Sequence, residues 1–189
     1  MNIEAIRKEL TAAADCFRQL AGQADTVGRI ADMCARSLRA GHKILFCGNG
    51  GSAADSQHLA AELIGRYKME RRPLPAIALT TDTSILTAVG NDYGYDDVFR
   101  RQVEGLGEAG DVLVAISTSG NSRNVLLAMR QARKMGIASA AFTGAGGGAM
   151  KDEADVCLAV PSSLTNHIQE MHIACGHLVC EYIERSLYG

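Results

Sequence analysis

The sequence predicts an α/β fold: a three-layer αβα sandwich around a five-stranded parallel sheet, preceded by a pair of N-terminal helices. Three observations carry this expectation. Short apolar runs at Ile44–Cys47, Ala76–Leu79, Val112–Ile116, Ile137–Phe142 and Val156–Val160 alternate with stretches of helical period. Such alternation makes a parallel sheet covered on both faces. A glycine turn, Gly48-Asn49-Gly50-Gly51, follows the first run, and a hydroxyl-rich loop, Ser117-Thr118-Ser119-Gly120-Asn121-Ser122, follows the third. Open parallel sheets bind ligands beyond the carboxyl ends of their strands, so both loops are expected on one edge of a flavodoxin- or Rossmann-like sheet.

Each element has its own warrant. Residues 3–21 carry Ile3, Ile6, Leu10, Ala13, Phe17 and Leu20 at helical spacing, and residues 26–40 carry Val27, Ile30, Ala31, Cys34 and Leu38 before Gly41. These helices (1–41) are extra to a βα core; they either cover a partner subunit or pack on their own sheet. After the first strand, Ser52 is expected to cap a helix that runs from Ala53. Arg71-Arg72-Pro73 ends that pattern, and the second strand leads into Thr80-Thr81-Asp82. A short helix over 83–90, turn chemistry at 91–94 and a helix over 95–106 precede the third strand. Residues 123–135 form a helix with Val125, Leu126, Met129 and Ala132 on one side. Gly144–Gly148 reads as a flexible loop, and residues 163–186 as a last long helix with a stripe of Leu164, Ile168, Met171, Cys175, Leu178 and Tyr182. Gln169, Ile173 and His177 lie off that stripe, a face expected to be covered by a second subunit. No repeat or internal boundary interrupts residues 1–189, which read as one domain.

Composition narrows the class. A hydrophobic fraction of 47% and a charged fraction of 21% are ordinary for a soluble protein, and a net charge of −2 gives no reason to expect nucleic acid. No apolar run approaches the roughly 20 residues of a membrane span. The opening MNIEAIRKEL is unlike a signal peptide. Six scattered cysteines form no CxxC pair and read as reduced thiols of a cytoplasmic protein.

The chemistry gathers on two loops and two helices. A strand, a glycine turn and a helix N-terminus present backbone N–H groups to an anion. Asp55, His58 and Glu62 fall within roughly 60° on one face of the following helix, expected a few ångströms from that cradle. Ser117, Thr118, Ser119 and Ser122 surround one glycine ahead of another helix and suit a phosphate monoester. Gly48-x-Gly50-x-x-Ala53 also satisfies a dinucleotide pattern, with Asp82 as the ribose partner, but the gap exceeds the usual ~20 residues. His58 and Glu62 stand four apart and can share a metal. Gln169 and His177 are eight residues apart, about 12 Å along a helix, so they meet at one metal only if long side chains converge or subunits share the site. His172 is another possible ligand, and His42 and His167 read as surface residues.

CGNGGSAADSQHLAAELIGRY, VGNDYGYDDVF, AISTSGNS and IQEMHIACGH together resemble the bacterial phosphoheptose isomerases of the sugar isomerase (SIS) family, across essentially the whole chain. The resemblance implies a homotetramer with interfacial active sites and one zinc per subunit held by His58, Glu62, Gln169 and His177. It implies substrate contacts at Asn49, Gly50, Gly51, Glu62, Asn91, Asp92, Ser117, Thr118, Ser119, Ser122 and Gln169, with Glu62 and His177 as base and acid. Ser52 and Asp55 lie inside the matched motif and are added as substrate contacts on the helix-face geometry. The expected activity is conversion of sedoheptulose 7-phosphate to D-glycero-D-manno-heptose 7-phosphate in the cytoplasm. LPAIALTTD and IQEMH also resemble a replication regulator of the same fold that binds the DnaA initiator, and a non-catalytic sugar-phosphate module is a third reading. The implied regulator pattern lacks the counterparts of Glu62 and His177; this chain has both, which favours the enzyme.

Overall fold

Val, Ile, Leu, Phe and Ala fill the strands, and residues of this kind are stable in extended backbone only when both faces are covered. The computed structural model, which describes residues 2–189, arranges them as β1 (Ile44–Gly48), β2 (Ala76–Ala78), β3 (Val112–Ile116), β4 (Ala138–Thr143) and β5 (Val156–Ala159). All pairings are parallel, in the order β2-β1-β3-β4-β5. Every residue of β1 and β3 is buried. The register sets Gly48 against Ile116, so the loops that leave β1 and β3 emerge side by side where the strand order reverses.

The helices are α1 (Ile3–Leu20), α2 (Ala24–Arg39), α3 (Gly51–Ile64), α4 (Thr83–Asp92), α5 (Arg100–Leu106), α6 (Arg123–Lys134), α7 (Met150–Glu153) and α8 (Thr165–Tyr188). Alternation along β1 sends Ile44 and Phe46 into one core with α2, α3 and α8, and Leu45 and Cys47 into a second with α5, α6 and α7. The six cysteines are all free thiols, and burial pushes Cys34, Cys47, Cys175 and Cys180 up to about 12.

The leading helices differ from each other. Ile30, Ala31, Cys34 and Leu38 of α2 are buried against the sheet, whereas α1 buries only Leu20 and leaves Ile3 and Leu10 each 67% exposed. Several boundaries also move. Residues 95–106 are not one helix but a 3₁₀ turn (Tyr95–Asp97) followed by α5, while Asn91 and Asp92 close α4 instead of forming a turn. The four-residue α7 was not foreseen. On α8 the inner stripe is Ile168, Met171, Cys175, Val179 and Ile183; Leu164, Leu178 and Tyr182 are exposed. A 3.6-residue period tolerates either stripe, and packing against α2 and α3 selects the first.

Candidate functional site

Gly48 ends β1 with no room for a side chain, since a Cβ there would stand 2.7 Å from that of Ser52. Gly50 has φ +56° and is the N-cap of α3, making the sharp strand-to-helix turn that favours glycine. Ser52 is therefore not the cap: it lies inside the first turn, buried, with its N–H on the carbonyl of Asn49 at 3.0 Å and its own carbonyl accepting from Ser56. Gly51 permits a close approach of α8, because a Cβ at this position would meet the Gln169 amide at 2.7 Å.

Asn49 is held on both ends of its amide. It donates to Asn124 Oδ1 at 2.9 Å, and its Oδ1 accepts from Asn124 Nδ2 at 2.8 Å and from Tyr95 Oη at 3.2 Å. Asn124 is buried on the first turn of α6, and Tyr95 stands beside it on the 3₁₀ turn. Neither was anticipated; a polar residue on the inward face of α6 was the available signal. Asn91 and Asp92 bond each other at 2.8 Å, exposed at the end of α4, just ahead of that turn.

The 117–122 loop forms a hydroxyl cluster. Ser117 Oγ lies 2.8 Å from Ser122 Oγ and 3.4 Å from Ser119 Oγ, while the Thr118 carbonyl accepts from the Gly144 N–H. The glycine-rich segment read as flexible is packed tightly onto this loop. Gly120 has φ +65°, a Cβ there would strike the Gly147 carbonyl oxygen at 2.1 Å, and Ala149 N–H donates to Asn121 Oδ1 at 3.0 Å.

On the helix face, Asp55 is buried, accepts from Gln169 Nε2 at 3.3 Å, and has its Oδ2 unpartnered. Burial raises its carboxyl above the ordinary range, opposed by the Gln169 hydrogen bond and by His58. His58 Nε2 lies 2.8 Å from His177 Nε2 and 3.2 Å from a Glu62 oxygen. Burial, and then the neighbouring His58, lower the affinity of His177 for a proton; Glu62 opposes this and Lys68 reinforces it. Tyr67 stacks on His177 with centroids 5.5 Å apart at 15°, a contact the sequence reading missed. The donor set fits a divalent cation. The three ligand atoms lie within 4.8 Å of one another, and tetrahedral Zn–N distances of about 2.0–2.1 Å place two imidazole nitrogens roughly 3.3 Å apart, so the two nitrogens, now 2.8 Å apart, need only part by about half an ångström.

The fourth expected ligand, Gln169, stands two turns before His177 and is engaged by Asp55. On α3, Asp55 stands four residues beyond Gly51, about 6 Å along the axis, but His58 and Glu62 stand seven and eleven residues beyond it, about 10 and 16 Å and not a few ångströms from the cradle. His172 lies outside the trio: its Nε2 bonds the Thr143 carbonyl at 3.1 Å, and burial drops it to about 4. His167 is buried, not on the surface, with Cys16 Sγ 3.7 Å from its Nδ1 and Glu9 3.0 Å from its Nε2; His42 is half-buried near Asp111.

The pattern of the SIS domain matches residues 10–144. A phosphoheptose isomerase of Akkermansia muciniphila is 62% identical over 98% of each chain, and one of Rhodospirillum rubrum is 58% identical over 96% of this chain and 97% of its own. The solved structure of a phosphoheptose isomerase from Neisseria gonorrhoeae superposes with a TM-score of 0.93 at 43% identity, covering 98% of this chain and 100% of its own.

Proposed function

The chain belongs to the SIS-domain family, among its phosphoheptose isomerases, and from that premise we propose that it converts sedoheptulose 7-phosphate to D-glycero-D-manno-heptose 7-phosphate, feeding the synthesis of surface heptose. The observation that carries the reading is the meeting of His177 on α8 with His58 on α3 at 2.8 Å, and of His58 with Glu62 at 3.2 Å, which brings ligand atoms of Glu62 and His177 within 4.8 Å of each other. An acid–base couple is what a proton shift between neighbouring carbons requires.

In this reading Glu62 removes the proton from the carbon beside the carbonyl. His177, whose lowered proton affinity leaves it neutral near pH 7, exchanges a proton with the substrate oxygen as the enediolate forms and collapses. The hydroxyls of Ser117, Ser119 and Ser122 grip the phosphate with Thr118, and that remote contact holds the sugar in register. Asn49, with its amide fixed by Asn124 and Tyr95, reads a sugar hydroxyl together with Gly50, Gly51, Ser52, Asp55, Asn91, Asp92 and Gln169. His58, Glu62 and His177, with Gln169 contributed across a subunit contact, would hold zinc, which when bound polarises the carbonyl or hydroxyl oxygens of the substrate.

A homotetramer with shared sites completes the reading. The 10–16 Å along α3 between the cradle and His58 and Glu62, the exposed stripe of α1 and a groove of about 500 Å³ between α1, α2 and α8 all support association through this face. Among the described residues no helix is long and apolar enough to cross a membrane. The cytoplasm, which the sequence resemblance implies, is the compartment this reading adopts.

The test is direct. Purified protein incubated with sedoheptulose 7-phosphate should yield the aldose, and Glu62→Gln should lower kcat by about 10²–10⁴-fold with fold and assembly unchanged. Near-normal turnover of that variant would refute the base assignment. Stoichiometric capture of the DnaA initiator without isomerisation would replace the enzyme by the regulator.

A further inference from the structure

We propose that the buried Arg71–Glu184 ion pair is the positioning element of the His58–Glu62–His177 cluster, acting on His177 through Tyr67; the inference rests on the isomerase reading above. α3 ends at Gly65 without a left-handed glycine cap, so its last carbonyls need partners from elsewhere. Arg71 supplies them. Its Nη2 donates to the carbonyl of Glu62 at 2.8 Å, and its Nη1 to those of Leu63 at 2.7 Å and Gly65 at 3.2 Å. The guanidinium thus grips the main chain of the very residue assigned as base.

Its Nε donates to Glu184 at 3.0 Å, and both side chains are only 1% exposed. Glu184 in turn accepts the backbone N–H groups of Tyr67, Lys68 and Met69 at 2.8, 2.8 and 2.9 Å. Burial alone would raise this carboxyl; the three N–H groups and Arg71 outweigh it and hold it below the ordinary range, so it is ionised near neutral pH. Glu184 lies seven residues after His177 on the same helix, about 10 Å away. One ion pair therefore fastens the end of α3 to α8 and also sets the backbone of Tyr67. The Tyr67 ring stacks against His177, while the His58 ring meets His177 edge-on at 5.0 Å and 73°. Tyr67 on one face and His58 at the edge flank the His177 ring, whose Nε2 faces His58 at 2.8 Å.

A purely structural ion pair would affect stability and nothing else. The distinguishing variants are Tyr67→Leu, Tyr67→Phe and Arg71→Lys, the last keeping charge but losing the fork of donors. Three quantities are read for each: kcat and KM for sedoheptulose 7-phosphate, Zn²⁺ affinity against a competing chelator, and the His177 ring-proton NMR shifts. We expect Tyr67→Leu to lower kcat and zinc affinity by about tenfold or more with KM little changed, and Tyr67→Phe to restore both. Arg71→Lys should move the His177 ring signals although it touches neither ring. Folded variants with wild-type kcat, zinc affinity and His177 shifts, or a change in melting temperature alone, would overturn the proposal. Wild-type protein that fails to isomerise the substrate overturns the parent reading instead, and the Arg71→Lys shift still decides the positioning role.

Discussion

At the scale of single residues, the site depends on places where a side chain is forbidden as much as on those where one acts. Gly120 combines a left-handed backbone with a backbone oxygen 2.1 Å from where a Cβ would stand. Gly120→Ala is expected to cost about 1–3 kcal/mol from the strained conformation, and the forced shift of the loop should raise KM more than it lowers kcat. Thermal melts and steady-state kinetics check both. Asn124→Ala removes the partner that fixes both ends of the Asn49 amide; leaving buried polar groups unpaired costs about 1–3 kcal/mol. Turnover should fall with it, and Asn124→Asp, which retains an acceptor but no donor, should recover only part of the loss. The serine loop and the His58–Glu62 pair were legible in the sequence because their partners are near neighbours along the chain. Tyr67 and Asn124 were not, because their importance comes from residues on other elements.

At the scale of elements, α3 and α8 carry the chemistry, and a clamp invisible to periodicity joins them. Arg71 and Glu184 are 113 residues apart in the chain, so no local pattern announces their pairing. The strands were legible for the opposite reason: continuous apolar runs admit few readings. The inner stripe of α8 was misjudged because that helix is apolar on more than one side. Glu184 also sets an acid limit on stability. Its folded carboxyl titrates below the unfolded value of about 4.3, so its contribution is complete above that value and disappears as pH falls through the lowered folded one. Glu184→Gln should therefore flatten the acid limb of a stability-against-pH curve measured by urea titration. Glu184→Ala, which strands a buried guanidinium, should lose about 3–5 kcal/mol at neutral pH.

For the whole molecule, the open question in the sequence was what the two leading helices cover. α2 packs on its own sheet, and α1 keeps Ile3, Ile6, Leu10 and Phe17 exposed, with Phe17 lining one groove together with Leu178 and Tyr182. Two apolar strips flanking a groove fit burial against a second copy of the chain. Replacing Leu10 and Phe17 by Glu should shift the assembly toward monomer in light scattering, with far-UV circular dichroism unchanged. If neighbouring subunits share the active site, activity should fall in step with the mass. A monomer retaining full turnover would show each chain to be self-sufficient.

The back-to-back contact of Gly120 with Gly147 and Gly148 makes the hydroxyl loop the joint property of two segments separated by a whole helix and strand, α6 and β4. Transplanting residues 117–122 by themselves onto another sheet of this architecture would carry over the chemistry without its mould. A graft that includes residues 144–149 would bring both halves of the casting, so engineers who recombine these scaffolds should cut outside the pair.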